Sequence, residues 1–140
     1  MMHQKTHTQP DDGCWMNLRR NVLWVDGLAG SLVGALVLLL SGRLSDLHHL
    51  PHNFILFMGG VNLLYGSYSL TLASRSNRPL AFIKFLVAAN GAWAVVCLVC
   101  ATVFWQTASP FGLAHLLGEA IFVGALGFGE WRWRDLLRTA

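Results

Sequence analysis

Between Val22 and Trp133 the chain carries four continuously apolar stretches, each about as long as a bilayer crossing, and this pattern leaves few folds open. A spanning helix needs about 20 mostly apolar residues to cover about 30 Å of hydrocarbon. Four windows qualify: about 22–41, 54–73, 80–105 and 112–131. No Asp, Glu, Lys or Arg occurs from Leu47 to Ser74, or from Phe85 to Gly118. Charged residues make up 12% of the chain, about half the roughly 25% of soluble domains. A transmembrane barrel is disfavoured, because barrel strands alternate apolar with polar residues and these runs do not. With most of the 140 residues used by spans, little chain remains for a soluble catalytic domain.

The connections, about 42–53, 74–79 and 106–110, are short, and short links force antiparallel neighbours. The expected fold is therefore all-α: an integral-membrane, four-helix antiparallel bundle running up-down-up-down over residues 22–133. A flexible N-terminal tail is expected over 1–21 and a C-terminal tail over 134–140. Pro51, Pro79 and Pro110 each stand at the start of a span, where a missing N–H costs little. The first span follows about 20 polar residues that include Asp11 and Asp12, and its apolar core is too long for a cleaved signal peptide.

A pI near 9.1 raises the question of nucleic acid, but the positions of the charges answer it differently. Arg19 and Arg20 precede the first span, Arg75 and Arg78 lie between the second and third, and Arg132, Arg134 and Arg138 follow the fourth. On the opposite side Arg43 is offset by Asp46, and the third connection has no charge. The positive-inside rule then puts both termini in the cytoplasm, as expected in a bacterial-type inner membrane. Trp15, Trp24, Trp131 and Trp133 fall near that interface and Trp105 near the other. Arg19, Arg20, Arg132 and Arg134 are the candidates for anionic lipid headgroups, each attracting them by roughly 1 kcal/mol. The expected partners are the bilayer and a second copy or another membrane protein, not nucleic acid. The Gly30-Ser-Leu-Val-Gly34 segment permits close helix contact, within one chain or in a dimer.

Each span also carries polar residues that hydrocarbon tolerates poorly: Asp26, then Asn62, then Asn90, then His115 and Glu119. Such groups usually mark a pathway, a bound ligand or a helix–helix clasp. At 100° per residue Asp26 shares a face with Gly30 and Val33, and Asn62 with Gly59, Tyr65 and Gly66. Asn90 likewise shares one with Trp93 and Cys97, and Glu119 with His115, Val123 and Glu130. Faces that combine small and polar residues point inward. Counting from the span ends puts Asn62, Asn90 and Glu119 near the midplane. Asp26, Lys84 and Glu130 fall about one turn inside the arginine-rich edge, with Lys84 a candidate partner for Asp26.

Two chemistries fit the Glu119, Asn62 and Asn90 group. In one, the asparagine amides orient a carboxyl that takes and releases a proton, with Asp26 as a relay. In the other, the group is a structural hydrogen-bond clasp. His115 and Glu119 are spaced i, i+4, and with His48, His49 and His52 of the first connection they form the only metal or haem candidate set, since imidazole suits Zn, Cu and Fe. The sequence names no cofactor. Cys97 and Cys100 read as small apolar fillers, and Glu130-Trp-Arg-Trp-Arg134 as an interfacial anchor. Phosphate-loop, nucleophile-elbow and dinucleotide motifs are absent.

Through Val25-Asp26, Asn90-Gly-Ala-Trp93 and the Gly112–Glu119 stretch the chain resembles a family of small four-span bacterial inner-membrane proteins with no assigned activity. The resemblance implies a fold and a compartment only. Three functions fit, in this order. The first is a non-enzymatic interaction or assembly subunit. The second is a binding or transport unit for a small solute, proton or cation using Glu119. The third is a haem- or metal-binding redox protein using His115 and the loop histidines.

Overall fold

The computed structural model describes the backbone of residues 12–138 and the side chains of residues 21–138. Most of the expected N-terminal tail, and the side chains of Arg19 and Arg20, lie outside the described residues. Within them the chain is helical throughout: α1 (Asp12–Leu39), α2 (Ser41–His48), α3 (His52–Ala73), α4 (Leu80–Val103), α5 (Pro110–Arg132) and a 3₁₀ turn (Leu136–Arg138). Four of these are long and apolar enough to cross a membrane, over Asn21–Leu39, His52–Ala73, Leu80–Val103 and Pro110–Arg132.

Two boundaries differ from the expectation. Helix α1 reaches back to Asp12, so the last ten residues assigned to a flexible tail are helical. An apolar window marks what lipid tolerates, whereas backbone hydrogen bonding continues through polar residues of adequate propensity. The first connection is also not a simple loop, since α2 occupies most of it. This helix ends at His49, whose φ of 53° is left-handed and whose N–H bonds the Ser45 carbonyl, the usual way to stop a helix and satisfy its last acceptors. The proline positions hold. Pro51 and Pro79 immediately precede α3 and α4, and Pro110 is the first residue of α5. The Ser109 hydroxyl there accepts from the Gly112 N–H at 3.1 Å.

Helix α1 packs chiefly on α3, and α4 chiefly on α5. The α1–α3 contact is close because both helices present small residues. Gly27 faces Leu70, Gly30 faces Gly66, Gly34 faces Leu63, and Val37 and Leu38 face Gly59. The Gly30–Gly34 motif is thus used within the chain, and residue number falls along α3 as it rises along α1. Ser69 adds a hydrogen bond to the Leu23 carbonyl at 3.0 Å. Between α4 and α5, Gly127 sits under Asn90 and Val87, and Gly124 under Ala94.

Apolar cores form at both ends of the bundle. One gathers Val22, Leu23, Leu72, Ile83, Leu86 and Leu137. The other gathers Val37, Leu50, Ile55, Met58, Ala101 and Leu116. Along every long helix the interior polar residues fall between these two cores. The outside is apolar as well: only 22% to 39% of each spanning window is buried, and Leu39, Leu64, Ile121 and Phe128 all point outward. Water-soluble monomers rarely expose contiguous apolar patches beyond a few hundred Å², so this surface suits lipid.

The C-terminal segment is not a free tail. Leu137 is fully buried in the first core, and Arg78, from the connection between the second and third spans, holds it there. Arg78 is itself buried. Its Nε donates to the Leu72 and Arg75 carbonyls at 3.0 and 3.1 Å, Nη2 to Ala73 at 2.5 Å, and Nη1 to Leu137 at 3.2 Å. Its N–H reaches the Arg138 carbonyl at 3.1 Å. Helix α3 ends with carbonyls that have no intrahelical partner, and a planar five-donor fork suits several of them at once. Burial pulls the Arg78 pKa downward, but a guanidinium remains protonated in proteins. Arg78→Lys is expected to cost about 2 kcal/mol, because one ammonium cannot replace a fork among buried acceptors. The loss will register as a lower melting temperature and faster proteolysis beyond Trp133.

Candidate functional site

The polar interior forms two layers, each built across helices. The first centres on Glu119 of α5. Asn62 Nδ2 of α3 donates to Glu119 Oε1 at 2.6 Å, and Trp93 Nε1 of α4 donates to the same oxygen at 2.7 Å. The other oxygen, Oε2, lies 3.2 Å from His115 Nε2, one turn back on α5. A single carboxyl therefore ties α3, α4 and α5 together through N–H groups, and an ionised carboxylate has acceptors only. His48 continues the layer outward, its ring edge-on to His115 with centroids 5.0 Å apart.

The docking of α5 on the end of α2 places His48. The Ser109 N–H and hydroxyl bond the His48 and Leu47 carbonyls at 2.9 and 2.7 Å. Gly112 sits so near the His48 carbonyl that a β-carbon would collide with it. His48 is buried, and that burial, with His115 beside it, lowers its pKa below the ordinary imidazole value.

The second layer lies nearer the arginine-bearing end. Tyr65 Oη of α3 donates to Asp26 Oδ2 of α1 at 2.8 Å. Asn90 Nδ2 of α4 donates to Glu130 Oε2 of α5 at 3.0 Å. The carboxyls of Asp26 and Glu130 are neighbours, so this layer brings all four long helices together. Asp26, Asn90 and Glu130 are all buried.

Of the residues expected at the midplane, Asn62 and Glu119 meet directly, and His115 joins them. Asn90 does not. It lies in the other layer, and Trp93, on the same face of α4, takes its place at Glu119. Glu130 is not part of a surface anchor but fully buried. Lys84 is exposed, and Tyr65 holds the Asp26 carboxyl instead. Trp93 and Tyr65 lie on the expected inward faces, and their polar ends reach Glu119 and Asp26. Arg132 is exposed, and Arg134 stacks its guanidinium 4.5 Å from the Trp131 ring centroid, as interfacial residues do.

The histidines disperse. Among the described histidines only His48 reaches His115. His52 Nε2 lies 3.1 Å from the Ser41 hydroxyl, and His49 is an exposed helix terminator. Among the described residues no three or more His, Cys, Asp or Glu side chains converge to hold a metal. Cys97 and Cys100 are free thiols.

Both layers open on one cleft between α1, α3 and α5, with a volume of about 330 Å³. Asp26, Tyr65, Asn62, His115 and Glu119 contribute its polar groups; Val33, Phe122 and Val123 make it otherwise apolar. Ala29, Gly30, Ala114 and Gly118 also line it, and their small size keeps it open. A β-carbon added at Gly118 would meet nothing within 4 Å. A smaller cavity of about 170 Å³, lined by Asn90, Trp93 and Val96, lies on the other side of Asn62 and Tyr65. In comparisons with known proteins the chain matches no family model, no curated protein and no solved structure.

Proposed function

We propose that this chain is a non-enzymatic, multi-pass protein of a bacterial-type inner membrane that binds a small solute in the cleft between α1, α3 and α5. The proposed topology is an antiparallel up-down-up-down bundle with both termini cytoplasmic. The order of contacts along α1–α3 and α4–α5 supports it, as does the arginine distribution. The ligand class is a compact molecule with an apolar body and a cationic or hydrogen-bond-donating head.

One observation carries the reading: two carboxyls, Asp26 and Glu119, line a mostly apolar cleft beside Asn62, Tyr65 and His115, and among the described residues its lining has no Lys or Arg. Apolar clefts of a few hundred Å³ with a few converging polar groups are the usual form of small-ligand sites. Glu119 would receive the head, Asn62 and Trp93 would hold its carboxyl in place, and Asp26 would mark the other end.

Benzyltrimethylammonium and its uncharged isostere neopentylbenzene form a matched pair of probes. The cation is expected to bind the detergent-solubilised protein at least about tenfold more tightly, or about 1.4 kcal/mol. Gly118→Leu should fold normally, because its side chain enters open space, yet lose binding by filling the cleft. Glu119→Gln should fold and lose the preference for the cation. Equal affinity for both probes, or unchanged binding by Gly118→Leu, would reject the reading.

The assembly-subunit reading, first in order from the sequence, comes second here and rests on a separate observation. The Asn62, Trp93 and Tyr65 donors are already satisfied within the chain, as a clasp requires. A stable membrane partner, retained by Glu119→Gln and lost on changing lipid-facing residues, would favour it. No observation raises the metal or haem reading above these two.

A further inference from the structure

The Asp26–Glu130 pair does work that a clasp does not require. Two neighbouring carboxyls are fully buried, where a single neutral amide pair would hold α1 to α5 equally well. Each has one oxygen held by a neutral donor: Asp26 Oδ2 by the Tyr65 hydroxyl and Glu130 Oε2 by the Asn90 amide. The surface of Glu130 is entirely enclosed, yet among the described residues its Oε1 has no donor from a side chain or backbone group. The polar groups beside the pair include Tyr65 and Ser69 from α3 and Asn90 from α4. Among the described residues none is cationic, and Lys84 of α4 points outward. Two ionised carboxylates would leave Oε1 orphaned and set like charges in contact without compensation, which low-dielectric surroundings make costly. A hydrogen bond between two carboxyls requires a proton on one of them.

We propose that Asp26 and Glu130 form a proton-binding site that holds one exchangeable proton between the two carboxyls, neutralising half of the pair. The site is distinct from Glu119, whose Oε1 accepts from the Asn62 amide and the Trp93 indole N–H. It stands whether or not the cleft binds a solute. Exchange has a route, because Asp26 lines the cleft while Glu130 does not. The proton enters and leaves on the Asp26 side, with Tyr65 and Asn90 fixing the two carboxyls at constant separation.

Infrared difference spectroscopy of the full chain in lipid tests this directly. Wild type minus the Asp26→Asn/Glu130→Gln double variant, at neutral pH, should show one protonated-carboxyl C=O band that shifts in deuterated buffer. Absence of that band overturns the proposal. A second measurement uses Glu130→Gln alone, whose amide supplies a permanent donor where the shared proton sat and so preserves the fold. Between about pH 7 and 9, above the histidine range and below that of tyrosine, wild type should lose thermal stability as the proton is removed. Glu130→Gln should stay flat. Parallel slopes overturn the proposal. So does a wild-type melting temperature that rises with sodium chloride but not with choline chloride while the band is missing, since the site would then hold a metal cation.

Discussion

Gly34→Val is expected to prevent assembly of the α1–α3 pair. A β-carbon at Gly34 would collide with the Leu63 backbone N and lie 2.8 Å from the Gly59 carbonyl oxygen and the Leu63 Cα. These are backbone atoms, so no side chain can rotate away, and the helices must separate along this closely packed segment. Overpacking of this kind typically costs 1–3 kcal/mol, and more when backbone must move. Here it also opens the cleft wall, because Gly30 and Asn62 are its neighbours. The variant should yield little monodisperse protein in detergent. Gly60→Ala is the control. A β-carbon at Gly60 meets nothing within 4 Å, and alanine improves helix propensity by up to about 1 kcal/mol. That variant should melt at or above the wild-type temperature. A Gly34→Val protein as stable as wild type would show that α1 and α3 do not pack as described.

The second large effect is at Glu119. Replacement by Leu removes the acceptor shared by Asn62 and Trp93, leaving two inward-facing N–H groups unpaired. Interhelical hydrogen bonds in membranes average only about 0.6 kcal/mol. An orphaned buried donor costs about 1–3 kcal/mol, and here one deletion orphans two, so the orphaning dominates. Glu119→Leu should therefore lower the melting temperature strongly. Glu119→Gln should not: its carbonyl can accept from both donors, and its amide can donate to His115 in the neutral imidazole form. The contrast separates the structural role of the carboxyl from its charge. If Leu and Gln variants melt alike, the layer is not what holds α3, α4 and α5 together.

The four spans were legible because lipid imposes a constraint that reads residue by residue: a helix in hydrocarbon must be apolar along its length. The inward faces were legible for a similar reason, since 100° per residue is set by the backbone alone. This rule put His115 with Glu119, Asn90 with Trp93, and Asn62 with Tyr65. Which of these residues would touch was less accessible. Counting from span ends locates a residue to about one turn, or 5.4 Å, while a hydrogen bond tolerates only a few tenths of an ångström around 2.9 Å. Asn90 and Glu119 looked level by counting. The axial offset of α4 on α5 instead brought Asn90 to Glu130, and the longer reach of Trp93 carried its indole N–H to Glu119.

Charge misled in two places for one reason. Arg78 and Glu130 sit in polar, arginine-rich surroundings in the sequence, and such residues usually face headgroups. Arg78 is buried because α3 ends beneath it with carbonyls that need donors, and the chain returns at Leu137 to supply another. Glu130 is buried because Asp26 and Asn90 arrive from other helices. The sequence by itself determined the number of long helices, their apolar exterior and the faces that turn inward, because each follows from local composition and helical periodicity. Only the tertiary structure decided that the polar residues form two layers rather than one, that Asp26 meets Glu130, and that a cleft joins the layers. Those outcomes depend on how far each helix slides along its neighbour, which small residues on different helices set jointly and no single segment encodes.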